Sequence, residues 1–308
     1  MNAAPSVPEP ELRFINLNGV ELAYWERGQP GSDKPTLFFV HATGFHGRIY
    51  DRVIEAFPGF HSIAFEQRGH GRSEHSPIRH WKTMGKDQIA FVRALELESF
   101  IGIGHSMGAH AMVDAAAETG AFARLVLLDP TVASPEAYID APALDFSQLH
   151  PAAKRKNHFG SPEDMRDRLL PKGAYHLFEP RVLMDYCKYG LLPCEDGGYE
   201  LACHPKMEAS VYQTARTNGA VHDSARALTI PVTIMRAMEG SGELNQADFS
   251  VSPTWPKFVT EFQNGREFHL KDCTHFIPMQ MPDRVIAVIA EEVAAWQQDV
   301  GSIAAEQT

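Results

Sequence analysis

No stretch of about eighteen apolar residues, the length a helix needs to cross a bilayer, runs uninterrupted in this sequence. The first ten residues have neither the positive start nor the apolar centre of a secretory signal, so the chain reads as cytoplasmic. Basic residues are in deficit. The 28 Lys and Arg against 39 Asp and Glu give a formal charge of −11, which argues against nucleic-acid and anionic-membrane surfaces, since both want clustered cations. The cysteines are only Cys187, Cys194, Cys203 and Cys273. They lack the paired short spacing of a zinc site, and a reducing compartment argues against disulfides. Neither an internal repeat nor a low-complexity tract is present. The expected partner is therefore a small molecule, with no metal and no cofactor called for and the oligomeric state open.

What is present is the composition of an ordinary globular chain, 308 residues with 44% hydrophobic and 22% charged, enough for one large α/β domain with an insertion or for two domains. A Pro-rich lead-in, 1–11, precedes two short apolar runs flanking Asn18-Gly19, a hairpin signal because both residues tolerate positive φ. Continuous apolar runs at Thr36–Val40, His61–Glu66, Phe100–Ile103 and Arg124–Leu128 read as strands buried on both faces, with a helix near Met84–Leu97 between the second and third of these. Residues 134–228 then break the rhythm. A stretch that long needs structure of its own, and its segments beginning at Pro162, Pro180 and Pro205 predict helices. Strands resume at Ile230–Met235 and Glu267–Leu270, and a last helix starts at Pro282, with Val285, Ile289, Val293 and Trp296 on one face. This alternation predicts a mostly parallel sheet with helices on both faces, formed by 12–133 and 229–297. A helical cap, 134–228, follows the sixth strand, and a tail, 298–308, ends the chain.

The chemistry gathers at the ends of these strands. Gly104-His105-Ser106-Met107-Gly108 lies between a strand and an Ala-rich helix, where a serine is held in a strained turn with its hydroxyl above the sheet edge. The competing dinucleotide fingerprint, Gly102-x-Gly104, lacks its third glycine because Met107 stands there. The N–H of Met107 points where an oxyanion would form, at the positive end of the following helix. A second donor is assigned to the N–H of Thr43, in the small-residue turn His41-Ala42-Thr43-Gly44-Phe45. Asp129 stands at the carboxyl end of a parallel strand, the edge where open α/β sheets bind ligands, and His275 follows the last strand. The loop Gln67-Arg68-Gly69-His70-Gly71-Arg72-Ser73 has no Gly-Lys-Ser/Thr ending and reads as a structural turn.

On these residues the chain resembles the α/β-hydrolase superfamily over about 12–297. The motifs that carry the likeness are His41-Ala42-Thr43-Gly44-Phe45, Arg68-Gly69-His70-Gly71-Arg72-Ser73, Gly104-His105-Ser106-Met107-Gly108 and the His275 loop. The resemblance implies Ser106 as nucleophile, His275 as base and the N–H groups of Thr43 and Met107 as oxyanion hole. Where many relatives have His-Gly this chain has His41-Ala42. Many relatives carry the acid in a turn after the strand that follows the cap, here Arg236 to Glu243 with Glu239 and no Asp until Asp248, while others carry it one strand earlier, at Asp129. A short carboxylate fixed at a strand end orients an imidazole better than a longer one in a Gly-rich loop, which favours Asp129.

The implied activity is hydrolysis of a small or medium carboxylic ester, a lactone included, through an acyl-enzyme. Carbon–carbon bond hydrolysis of a diketone-like substrate and ligand binding without turnover are the alternatives. Within the cap, Tyr138, Phe146, Phe159, Tyr175, Phe178, Tyr186, Tyr189, Tyr199 and Tyr212, with Met165 and Met184, could line a pocket for an apolar acyl or aryl group or simply pack cap on core. The trio Lys154-Arg155-Lys156 could attract a carboxylate and otherwise reads as solvated surface.

Overall fold

The computed structural model describes residues 9–31, 33–141, 143–195, 197–240 and 249–306. Of the segments read from sequence, 1–8 of the lead-in, Ser241 to Glu243 and Asp248 lie outside them.

Asn18 and Gly19 take φ of 55° and 78° and turn β1 (Glu11–Leu17) back on β2 (Val20–Arg27), with Leu17 paired to Val20. Both positive values are what a two-residue hairpin turn requires. The buried strands follow as β3 (Leu37–Val40), β4 (Ser62–Phe65), β5 (Phe100–His105) and β6 (Phe122–Leu128). After the long insertion, which holds β7 (His158–Phe159), β8 (Leu191–Pro193) and β9 (Tyr199–Leu201), come β10 (Val232–Arg236) and β11 (Gly265–His269). Among the described residues one eight-stranded sheet runs in the order β1-β2-β4-β3-β5-β6-β10-β11. Pairing is antiparallel from β1 to β2 and from β2 to β4, and parallel from β4 onward.

Alternate residues of the buried strands feed two cores. Phe39, Ile101, Ile103, Val126 and Leu128 join the layer beneath the helix Pro282–Glu306, whose Val285, Ile289, Val293 and Trp296 pack there. Phe38, Val40, Phe100, Leu125 and Leu127 join the opposite layer with Phe91 of the helix Lys82–Ala94 and Met112 of the helix Met107–Thr119. Strands covered on both faces have no polar face to show, which is why they read as unbroken apolar runs. The last helix continues to Glu306, so the stretch read as a tail from 298 is helical through that residue.

The insertion is mostly helical and also holds three short strands. Helices Pro162–Leu169, Pro180–Tyr189 and Pro205–Gln213 do start at their prolines, the first capped by Ser161, whose hydroxyl accepts from the Asp164 N–H at 3.1 Å. β7, just before the first of these helices, and β8 and β9, between the second and third, form a small antiparallel sheet in the order β7-β9-β8. Strands of two or three residues are too short to show a period of two. Their turn depends on Gly197 and Gly198 at φ of 89° and 76° and on a bond from the Cys194 N–H to the Gly198 carbonyl. Among the described residues no helix is long and apolar enough to cross a membrane.

Candidate active site

The end of β5 and the start of the helix Met107–Thr119 are pressed together by glycine. A Cβ on Gly104 would fall 2.6 Å from the Ala109 Cα, and one on Gly108 would fall 2.5 Å from the His41 carbonyl oxygen and 2.6 Å from that of Val40. Only hydrogen fits at either place. Held between them, Ser106 adopts φ 57°, ψ −118°, a conformation a side chain rarely tolerates, and the Ser106 N–H donates to the Leu128 carbonyl at 2.9 Å. The strain turns the serine hydroxyl out of the strand and into a cavity above the sheet edge.

Three side chains from distant parts of the chain line up there. Ser106 Oγ lies 2.9 Å from His275 Nε2, and His275 Nδ1 lies 2.7 Å from Asp129 Oδ2. A carboxylate only accepts, so in the neutral imidazole Nδ1 carries the proton and Nε2 accepts from the serine. Asp129 is fully buried at φ 46°, just past the end of β6. Its Oδ1 accepts from the Ala237 N–H at 3.0 Å and from the Ser252 hydroxyl at 2.5 Å, leaving Oδ2 to the histidine. The buried charge is thus met on both oxygens, as burial demands. Glu239, the other candidate acid, pairs instead with Arg236 at 3.0 Å and is half exposed. The His275 loop is tied from behind by His105, whose Nε2–H donates to the His275 carbonyl at 2.8 Å. Burial holds His105 well below the usual histidine pKa, so it stays a neutral brace.

The Thr43 and Met107 N–H groups, assigned from sequence as anion donors, each lie within two residues of a cavity-lining side chain, and Thr43 lines the cavity itself. Among the described residues neither N–H donates to another group. Their side chains touch, with the Thr43 hydroxyl 3.5 Å from the Met107 sulfur. His41 anchors the turn, a role the sequence reading did not assign. Its Nδ1–H donates to the Ala42 carbonyl at 2.8 Å, and its Nε2 accepts from the Gln67 N–H at 3.1 Å. Burial pushes its pKa well below the ordinary value, which keeps Nε2 able to accept. The Arg68–Ser73 loop is structural, as its composition suggested. It wraps the fully buried Glu66, which accepts from the Trp25 indole at 2.9 Å and the Arg72 N–H at 2.6 Å.

Two features were missed. Thr131 lies two residues beyond Asp129, with its hydroxyl 3.0 Å from Ser106 Oγ. Its N–H donates to the Ser106 carbonyl at 3.2 Å, and its own carbonyl accepts from His110 Nδ1–H at 2.9 Å. Asn218 then donates to His110 Nε2 at 3.1 Å and to Asp114 at 2.6 Å, so a buried chain of hydrogen bonds backs the serine turn. Because the serine proton points at His275, Thr131 is the donor to Ser106 Oγ.

The second missed feature is Arg155, which is not solvated surface. It lines the cavity, donates to Glu208 at 2.5 Å and to the Tyr186 hydroxyl at 3.2 Å, and belongs with Glu208 to the insertion. Burial works against its charge, yet Tyr186 and Glu208 raise its pKa well above the ordinary value. Of the residues singled out in the insertion, Tyr175, Tyr186 and Tyr212 line the cavity, whereas Phe159, Met165 and Phe178 pack in the core below. Phe45, Phe249 and Phe276 complete an aromatic wall around about 60 Å³ of open space.

A family profile described as "Alpha/beta hydrolase family" matches residues 37–288. Monoglyceride lipase of Homo sapiens is 31% identical over 145 residues, which is 42% of this chain and 47% of that protein, so the match spans under half of that relative. Lipase LipV of Mycobacterium tuberculosis is 27% identical over 272 residues, 81% of this chain and 90% of the lipase. A solved structure of E-2-(acetamidomethylene)succinate hydrolase superposes with a TM-score of 0.69 at 20% identity, covering 92% of this chain and 98% of its own, a likeness of fold.

Proposed function

The chain belongs to the alpha/beta hydrolase family, and from that premise we propose that it is a serine hydrolase of small or medium carboxylic esters, lactones included. One observation carries the reading: the unbroken line from Ser106 Oγ through His275 to Asp129, at 2.9 and 2.7 Å, opening into an aromatic cavity. The lipase relatives support ester chemistry at that line.

In the proposed mechanism Ser106 Oγ attacks the ester carbonyl as its proton passes to His275 Nε2. Asp129 holds the imidazole in the required tautomer and stabilises the imidazolium that forms. The carbonyl oxygen gains the negative charge between the N–H groups of Thr43 and Met107, where loss of one donor costs about 3 kcal/mol of barrier. Collapse expels the alcohol, which takes the proton from His275, and leaves the acyl group on Ser106. Water then enters by the same steps in reverse, with His275 again the base. Residues 134–228 act as a cap, since they supply Arg155, Tyr175, Tyr186, Glu208 and Tyr212 to the wall. The aromatic wall favours apolar acyl or aryl groups.

The test is hydrolysis of p-nitrophenyl esters from acetate to palmitate, run beside Ser106→Ala. The parent turns over short chains best and the variant loses about 10⁴-fold or more. Equal rates from both proteins at every length would overturn the reading.

A further inference from the structure

Among the described residues, the charged side chains of the cavity wall away from the Ser106 line are Arg155 and Glu208, set among aromatic, aliphatic and hydroxyl-bearing residues. Glu208 is buried in the first turn of the helix Pro205–Gln213, and Arg155 follows the short turn Pro151–Lys154. Desolvating two charges is costly, and a purely structural contact between these segments could be made by apolar side chains at no loss. The pair also lies close to the reacting centre. Glu208 Oε1 is 3.0 Å from the point a Cβ on Gly44 would occupy, and Gly44 directly follows Thr43.

The pair keeps hydrogen-bonding capacity that its own contacts do not use. Glu208 Oε2 holds the guanidinium, while Oε1 has no hydrogen-bond partner among the described residues. Arg155 uses one N–H on Glu208 and one on Tyr186, out of the five a guanidinium carries. An acceptor and spare donors therefore stand side by side in the cavity. A hydroxyl group satisfies both at once, donating to Glu208 Oε1 and accepting from Arg155. A carboxylate is attracted by Arg155 and repelled by Glu208 at nearly the same distance, so it gains little in return for its lost hydration. An apolar group leaves both polar residues dry and unpaired.

We propose that Arg155 and Glu208 form a neutral polar subsite that selects esters bearing an uncharged hydroxyl group near the ester bond and rejects those bearing a carboxylate. Glu208 is the determinant, because it cancels Arg155, the one cation of the cavity wall among the described residues. This inference rests on the ester-hydrolase reading at Ser106.

The test compares kcat/KM, by pH-stat on the full chain, for ethyl 3-hydroxybutyrate, ethyl butyrate and monoethyl succinate, and for glyceryl monobutyrate against butyl butyrate. The hydroxylated member of at least one pair leads by about tenfold or more, since a site built to pair with a hydroxyl discriminates against an analogue lacking it. The two pairs tell whether that hydroxyl sits on the acyl or the alcohol side. Glu208→Gln leaves Arg155 uncompensated and raises monoethyl succinate at least about tenfold relative to ethyl butyrate. A merely structural role would lower all substrates together. Should that variant fold poorly, the double variant Arg155→Met with Glu208→Met removes both charges and levels each hydroxylated and plain pair. Flat ratios in the parent, or monoethyl succinate as its best substrate, would overturn the subsite. Ester turnover unaffected by Ser106→Ala would overturn the ester-hydrolase reading instead. The subsite is then read by calorimetry on the Ser106→Ala protein, where ethyl 3-hydroxybutyrate binds about tenfold more tightly than ethyl butyrate, and equal Kd values count against it.

Discussion

Ser106 and Arg155 line the same cavity and are held there by different means. Ser106 is fixed through main chain. Its N–H bonds to Leu128, glycines on either side admit the adjacent backbones, and the neighbouring Asp129 is anchored by its own N–H to the Met235 carbonyl at 2.7 Å. Arg155 is fixed through side chains, by Glu208 and by Tyr186, which in turn packs on Phe45 with ring centroids 4.7 Å apart. Backbone constraint tolerates almost no substitution, so the strand-end floor leaves a motif. A wall of side chains can change one residue at a time without moving the chain. On the proposed reading, reaction type belongs to the floor and substrate choice to the wall.

The comparison is tested most severely at the acid. Asp129→Asn lowers kcat about 10⁴-fold by disturbing the His275 tautomer, while Glu239→Gln stays within about twofold. Steady-state hydrolysis decides, and the opposite pattern would move the acid to the loop after β10. Acidification comes next, because it loads histidines that belong to both regions. Burial lowers the pKa of His46 to about 3 and of His70 to about 4. His46 Nε2–H donates to the Tyr186 carbonyl at 3.1 Å and so joins floor to wall. The unfolded chain takes up protons near pH 6.5, before the folded one does. Their contribution is therefore present above that pH and lost as pH falls toward 4 and 3, roughly 2 kcal/mol for each by pH 5. Denaturant titrations at pH 7 and 5 measure this, and His46→Gln should flatten the slope.

Gly108→Ala strikes the floor alone. Its Cβ meets two carbonyl oxygens, so unfolding stability drops by about 3 kcal/mol and activity falls on every ester alike. Chain-length selectivity unchanged beside a lowered denaturation midpoint would bear that out, whereas a shifted selectivity would show that floor and wall are not separable. The smallest effect is expected at Thr131→Val, which removes one hydrogen bond to Ser106 Oγ and lowers kcat about tenfold with little change in KM. Thr131→Ser restores it.

Much of the floor was legible in advance. The Asn18-Gly19 hairpin, the buried strands and the turn at Ser106 each have a local reason readable from a few neighbouring residues. Thr131 was not legible, although it lies two residues beyond an assigned acid, because its importance comes from a contact with Ser106 across 25 positions of chain. Arg155 carried a misleading signal. Flanked by Lys154 and Lys156 it has the composition of surface, and only Glu208, 53 residues on, gives it a reason to turn inward.

By itself the sequence determined the α/β architecture, the strained serine turn and the set of residues able to serve it, because these depend on periodicity, on glycine at close approaches and on chain order. Tertiary structure decided which carboxylate reaches His275, that the Arg68–Ser73 loop closes on Glu66, and that an ion pair stands in the cavity wall. Those outcomes turn on distances between groups far apart along the chain, and no local pattern encodes such distances until the sheet has brought the strand ends together.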